Sequence, residues 1–85
     1  MANWTKKFKA GDCIFREGDT GNQAYIVDSG KVEIRLQQKN SVKVISSLTK
    51  GEIFGEMAII DGSPRSADAF AVEDTEITCI SKDQL

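Results

Sequence analysis

Apolar and polar residues alternate with a period of two over much of this chain. In "KVEIRLQ", Val32, Ile34 and Leu36 fall on one side and Lys31, Glu33 and Arg35 on the other. That is the pattern of a half-buried strand. "SVKVISSL" repeats it with Val42, Val44 and Leu48 on the inner side, and "TEITCIS" predicts a late strand over Thr75 to Ile80. "KKFKAGDCIFREGD" gives two short strands split at Gly11-Asp12, and Ser29-Gly30 in "AYIVDSGKVEI" signals a short hairpin. About seven or eight short strands at even spacing predict a mainly β chain, an antiparallel sandwich or roll. Gly11, Gly18, Gly21, Gly30, Gly51 and Gly62 mark its turns, read as residues that take φ > 0.

The alternation breaks in two places. "GEMAII" is too short and too rich in Ala and Met for a good strand, and predicts one or two turns of helix opening at Gly55. Ser81-Lys82-Asp83-Gln84 fits a capping box, with Ser81 as N-cap and Gln84 three positions into the helix. A helix is expected to begin there.

Composition narrows the function. The chain has 85 residues, 28% of them charged, which fits one globular domain spanning 1–85. A net charge of −2 with no long basic run argues against direct nucleic acid contact by this segment. The apolar runs are too short for a membrane span, and "MANWTKKFKAGD" has no apolar core of a signal peptide. There is no histidine, which removes histidine-ligated metals and Ser-His or Cys-His catalysis within the chain and counts against a cupin-like metal enzyme. Cys13 and Cys79 are far apart in sequence and read as free thiols of a cytoplasmic protein; a disulfide between them stays open at this point.

The chemistry gathers in "FGEMAIIDGSPRSADAFA", Phe54 to Ala71. The first N–H groups of a helix there lack partners and carry partial positive charge, which suits an anion. Gly55 has no Cβ and lets a ligand approach the backbone. Pro64-Arg65 returns a guanidinium, whose fork of donors grips phosphate oxygens. Ser66 and Ala67 are small enough for their N–H groups to reach the same anion. Glu56 would repel a phosphate but can accept from a sugar hydroxyl. Together these describe a ribose phosphate, bound and not reacted, since no nucleophile is paired to a base. The alternative from the same residues is an ion pair between Glu56 and Arg65 with "GEMAII" as plain core.

The same stretch resembles the phosphate-binding cassette of the cyclic nucleotide-binding domain family, of the catabolite activator protein and kinase regulatory subunit type. Phe54, Gly55, Glu56, Met57, Ala58, Arg65, Ser66 and Ala67 match it in order and spacing, and "FKAGDCIFREGD", "AYIVDSGKVEI" and "LTKGEIFGE" extend the likeness along most of the chain. The resemblance implies an antiparallel eight-stranded β-roll, jelly-roll-like, with one short internal helix in the cassette. It implies a regulatory module, not an enzyme, that binds cyclic AMP more readily than cyclic GMP and needs no cofactor or metal. It assigns Glu56 to the ribose 2′-hydroxyl, Arg65 and the N–H groups of Met57, Ala58, Ser66 and Ala67 to the cyclic phosphate, and Ile45 to the purine. Arg65 is expected to face the surface and to add little to stability. Asp68 and Phe70 depart from the family pattern and are expected at the rim of the pocket. The lid helix of the family, which follows the roll, is expected to be lacking, and the output to pass through a larger effector protein or a homodimer. A ligand-free scaffold or dimerisation domain of the same fold is the alternative.

Overall fold

In the computed structural model, which describes residues 4–84, eight strands form two four-stranded antiparallel sheets. The strands are β1 (Trp4–Phe8), β2 (Cys13–Phe15), β3 (Gln23–Ser29), β4 (Val32–Gln38), β5 (Ser41–Leu48), β6 (Ile53–Phe54), β7 (Asp68–Ala71) and β8 (Thr75–Ser81). One sheet runs β1-β8-β3-β6 and the other β2-β7-β4-β5. One α-helix, α1 (Met57–Ile60), joins β6 to β7. This is the expected β-roll. The helix opens two residues later than Gly55, with Glu56 as its N-cap residue. A single 3₁₀ turn follows β8 at Lys82–Gln84. The Gln84 side chain, on which the capping box rests, and Leu85 lie outside the described residues.

Alternation places the core. Tyr25 and Val27 of β3, Val32 of β4, Ala69 of β7, and Ile77 and Cys79 of β8 point between the sheets and join Leu48 and Phe54 in one cluster. The opposite face of β3 carries Ala24 and Ile26, which pack with Ile80 against Ile59 of α1. The helix is thus pinned to the outside of one sheet by the apolar face that Ile59 presents.

Strand β5 departs from its period. Ile34 pairs with Ser46, but the next residue, Arg35, pairs with Val44, so Ile45 is an extra residue, a β-bulge. A bulge shifts the parity of everything beyond it. Ser46 and Leu48 keep the inward side, while Val42 and Val44, expected inside, are half exposed at 49% each. Five of the six turn glycines take positive φ as expected; Gly21 does not.

Candidate functional site

The cassette closes one side of a cleft of about 500 Å³, within the roughly 300–1,000 Å³ common for small-molecule sites. Residues 54–58 and 63–67 form one wall, and Phe15, Ile34, Ser46, Leu48 and Ile53 form the other. Gly55, Glu56, Met57, Ala58, Arg65, Ser66 and Ala67 therefore meet in one place. Gly55 sits at φ 75°, in the left-handed region that favours glycine, and a Cβ there would lie 2.7 Å from Nη1 of Arg65. Ala58 and Ala67 are the small buried residues of the cassette on the cleft wall.

Arg65 is the centre of the site and is not on the surface: only 6% of it is exposed. Its Nη1 donates to the Gly55 carbonyl at 2.8 Å and its Nη2 to the Gln23 carbonyl at 3.0 Å. The guanidinium carbon lies 4.4 Å from the Phe15 ring centre and 5.5 Å from that of Tyr25, within cation–π range. The backbone is fastened as well. Arg65 N–H donates to the Asp19 carbonyl at 2.8 Å, and Gly18 N–H donates to the Arg65 carbonyl at 2.7 Å. The β2–β3 loop thus straps the arginine from behind. Five N–H donors make up the guanidinium fork, so two carbonyls do not exhaust it.

No carboxylate pairs with this buried cation. The two ion pairs among the described residues are Arg16–Asp68 and Arg35–Glu33, and neither involves Arg65. The simple Glu56–Arg65 pair is therefore not what the fold builds. Glu56 is half-buried on the cleft wall, makes no side-chain cap to its own helix, and no hydrogen bond or ion pair holds its carboxylate among the described residues. The site presents an uncompensated buried positive charge and, apart from it, an unengaged acceptor. Tyr25, beneath Arg65, has its phenol pushed above the usual 10.0, chiefly by burial and against the pull of the Arg65 charge.

The sequence profile of the cyclic nucleotide-binding domain matches residues 5–85. The chain belongs to the cyclic nucleotide-binding domain family. It is similar to the cyclic AMP receptor protein of Thermus thermophilus, 40% identical over 89% of this chain and 36% of that protein. It is also similar to the cAMP-dependent protein kinase regulatory subunit of Debaryomyces hansenii, 38% identical over 93% of this chain and 17% of that one. Among solved structures, the cAMP-bound form of the EAL enzyme Bd1971 matches at a TM-score of 0.90 and 40% identity, over 95% of this chain and 22% of that one. The cGMP-bound form of the same enzyme matches at 0.91. The chain thus spans little more than a third of these relatives at most.

Set against the family pattern, three residues lie elsewhere than expected. Ile45, assigned to the purine, is 51% exposed and does not line the cleft, because the bulge turns it out. Ser46 takes the place on that wall, and no hydrogen bond occupies its hydroxyl among the described residues. Asp68 and Phe70 are not on the pocket rim: they alternate with the inward Ala69 and Ala71 and face the other side of their sheet. There Asp68 accepts the Glu17 N–H at 2.7 Å, and the guanidinium of Arg35 lies 4.6 Å from the centre of the Phe70 ring. The support of Arg65 by Gly21, Gln23, Phe15 and Tyr25 was not anticipated. Both cysteines are free thiols. Among the described residues no cluster of His, Cys, Asp or Glu could hold a metal, and no helix is long and apolar enough to cross a membrane.

Proposed function

We propose that the cleft binds a purine 3′,5′-cyclic mononucleotide, cyclic AMP in preference to cyclic GMP, and that the chain acts as one regulatory binding module without catalysis of its own. The observation that carries this reading is the buried Arg65 guanidinium with no carboxylate partner among the described residues. A buried charge left unpaired is costly, and an anionic ligand supplies the missing counter-charge. The cyclic phosphate lies against Arg65 and the N–H groups of Met57, Ala58, Ser66 and Ala67. Its ribose 2′-hydroxyl donates to Glu56, and the purine lies toward Ile34, Ser46, Leu48 and Ile53.

The preference for adenine follows from that last wall. It offers one hydroxyl among apolar side chains. Guanine brings more donors than adenine, and each polar group left unpaired on burial costs about 1–3 kcal/mol. Ser66, directly after the arginine, is the second hydroxyl within reach of a base, so Ser66→Ala is expected to weaken cyclic GMP more than cyclic AMP. The module passes its state to a larger effector, as the low coverage of the relatives suggests, and its free thiols suit a reducing compartment such as the cytoplasm.

Calorimetric titration with cyclic AMP, cyclic GMP and 5′-AMP tests the reading. Cyclic AMP is expected to bind tightest, and 5′-AMP to compete poorly because its phosphate carries more charge and rotates freely near Glu56. Equal affinity for 5′-AMP would count against the ring-closed phosphate. No heat with any of the three would favour a ligand-free scaffold of the same fold.

A further inference from the structure

Gly21 lies in the loop between β2 and β3, far from the cassette in sequence. A glycine in such a loop is ordinarily explained by a backbone turn that other residues avoid. That explanation fails here, because Gly21 is not in the left-handed region. Its φ is not one that calls for glycine. What a side chain could not do is fit. A Cβ at this position would lie 2.6 Å from Nη2 of Arg65, 3.0 Å from Cζ and 3.0 Å from Nε. All three atoms belong to the guanidinium head. On its other side the same head meets Gly55, where a Cβ would lie 2.7 Å from Nη1. The guanidinium is thus held in a slot between two residues that have no side chain, with the Phe15 ring against it at 4.4 Å.

We propose that Gly21 is a positioning residue for the cassette arginine: its missing side chain sets the depth at which the guanidinium sits between the β2–β3 loop and the cleft. This rests on the reading of Arg65 as the phosphate ligand. The loop already grips Arg65 through its backbone, by the Asp19 carbonyl and the Gly18 N–H. Gly21 extends that grip to the head of the side chain. Behind the head lies a second cavity of about 270 Å³, bordered by Asp19, Thr20, Asn22 and Gln23. Arg65 and Phe15 line both this cavity and the ligand cleft. A Cβ at 21 does not need to distort the backbone, since the atoms it meets are the far end of a flexible side chain. The head gives way instead, and the bond it loses first is the one on the same side, from Nη2 to the Gln23 carbonyl. The fork then no longer faces the phosphate with two donors aligned.

The test is a cycle of four proteins: wild type, Gly21→Ala, Arg65→Ala and the double variant. Each is titrated with cyclic AMP and melted without ligand. In the wild-type background, Gly21→Ala is expected to weaken binding on the order of tenfold, the scale of one misaligned charge-assisted hydrogen bond, and to lower the melting temperature. In the Arg65→Ala background the slot is empty. There the same substitution is expected to leave the melting temperature unchanged or raise it, because alanine at an ordinary φ restricts the unfolded chain. A purely structural glycine would lower melting equally in both backgrounds, and that result overturns the proposal, as does wild-type affinity in Gly21→Ala. If Gly21→Ala alone fails to fold, recovery of folding in the double variant supports the proposal and failure in both refutes it. Cyclic AMP binding that survives Arg65→Ala unchanged points instead to a failure of the reading of Arg65 itself.

Discussion

Replacing Arg65 by alanine perturbs two quantities that the structure allows to be separated. The first is stability without ligand. The side chain makes two hydrogen bonds to carbonyls, at 2.8 and 3.0 Å, and stacks on Phe15. Hydrogen bonds to a charged group contribute about 1.5–3 kcal/mol each. Against them stands the cost of burying the guanidinium, several kcal/mol per ion. Taking about 5 kcal/mol for the two bonds together and about 3 kcal/mol for the burial leaves about 2 kcal/mol in favour of the arginine, which lies within the ordinary range for single substitutions. For a domain of this size that corresponds to a fall of about 8–16 °C in melting temperature. The expectation from sequence placed this arginine on the surface; it is buried instead, and the melt tests its consequence for the fold.

The second quantity is affinity. The phosphate is the only full negative charge that the proposed complex brings to Arg65. Removing one partner of a buried hydrogen-bonded charge pair costs roughly 2–5 kcal/mol, or roughly 30- to 5,000-fold in Kd. The loss in binding is therefore expected to equal or exceed the loss in stability. Arg65→Lys keeps the charge but not the planar fork, so it cannot serve both carbonyls and two phosphate oxygens at once. It is expected to fall between wild type and alanine in both measurements. The assays are calorimetry with cyclic AMP and thermal melting with and without it. Cyclic AMP should raise the melting temperature of wild type and leave that of Arg65→Ala unmoved. Affinity within a factor of two of wild type in Arg65→Ala would refute the assignment, and an unchanged or higher ligand-free melting temperature would refute the energy balance.

Glu56→Gln is expected to leave the ligand-free melting temperature unchanged, since no partner holds the carboxylate among the described residues, and to weaken cyclic AMP by about 1 kcal/mol, the difference between a charged and a neutral acceptor for the 2′-hydroxyl. The 2′-deoxy ligand should bind both proteins alike, and a further loss with it would remove Glu56 from the 2′-hydroxyl. The fold is also expected to weaken in alkali. Burial raises the Cys79 thiol above its usual 9.0 and the Tyr25 phenol above its usual 10.0, so the folded state keeps protons that the unfolded chain releases. Their contribution is fully present below pH 9 and is lost as the pH rises through the folded values. Denaturant melts across pH 8–11 check this: Cys79→Ala should remove the part of the decline that begins near pH 9, and a flat profile would contradict the burial argument.

Much of the fold was legible because it depends on local parity. Val32 and Ile34 face the core and the cleft as their alternation predicts, but Ser29-Gly30, read as a hairpin turn, carries the chain from β3 in one sheet to β4 in the other, and these two strands do not pair. The cassette was legible because its residues lie close together in sequence and their chemistry converges on one kind of ligand. What escaped depends on pairing across the molecule. Nothing in "SVKVISSL" marks Ile45 as the extra residue; the bulge is defined only by how β5 lies against β4. It sent Ile45 outward and brought Ser46 into the cleft. Gly21 escaped for the same reason, since its neighbour is a guanidinium from the other end of the chain. The burial of Arg65 could not be read from an arginine after a proline in a polar turn. Asp68 and Phe70 are different. Their places on the outer face follow from the alternation with Ala67, Ala69 and Ala71, and that signal was present in the sequence.

In the proposed function, a small roll senses an anion because no carboxylate among the described residues pairs with Arg65. A permanent acidic partner would satisfy the guanidinium at all times, and a phosphate would then have to displace it. Neutral carbonyls and aromatic faces do something else. They fix the direction of the fork and shield it, yet they leave its net charge unmatched. Glu56, the acid proposed to meet the ribose hydroxyl, stands on the same cleft wall but makes no ion pair with Arg65 among the described residues. An anion entering the cleft therefore gains nearly the full attraction of a poorly hydrated cation without first breaking an internal pair. The same gain appears as stabilisation of the folded chain, about 2.7 kcal/mol when the ligand stands at one hundred times its Kd. That linkage is the physical form a regulatory signal takes here. Under the proposed function, occupancy would favour the arrangement of the β2–β3 loop and the cassette helix that holds Arg65, and an effector surface resting on those elements would respond to the same equilibrium.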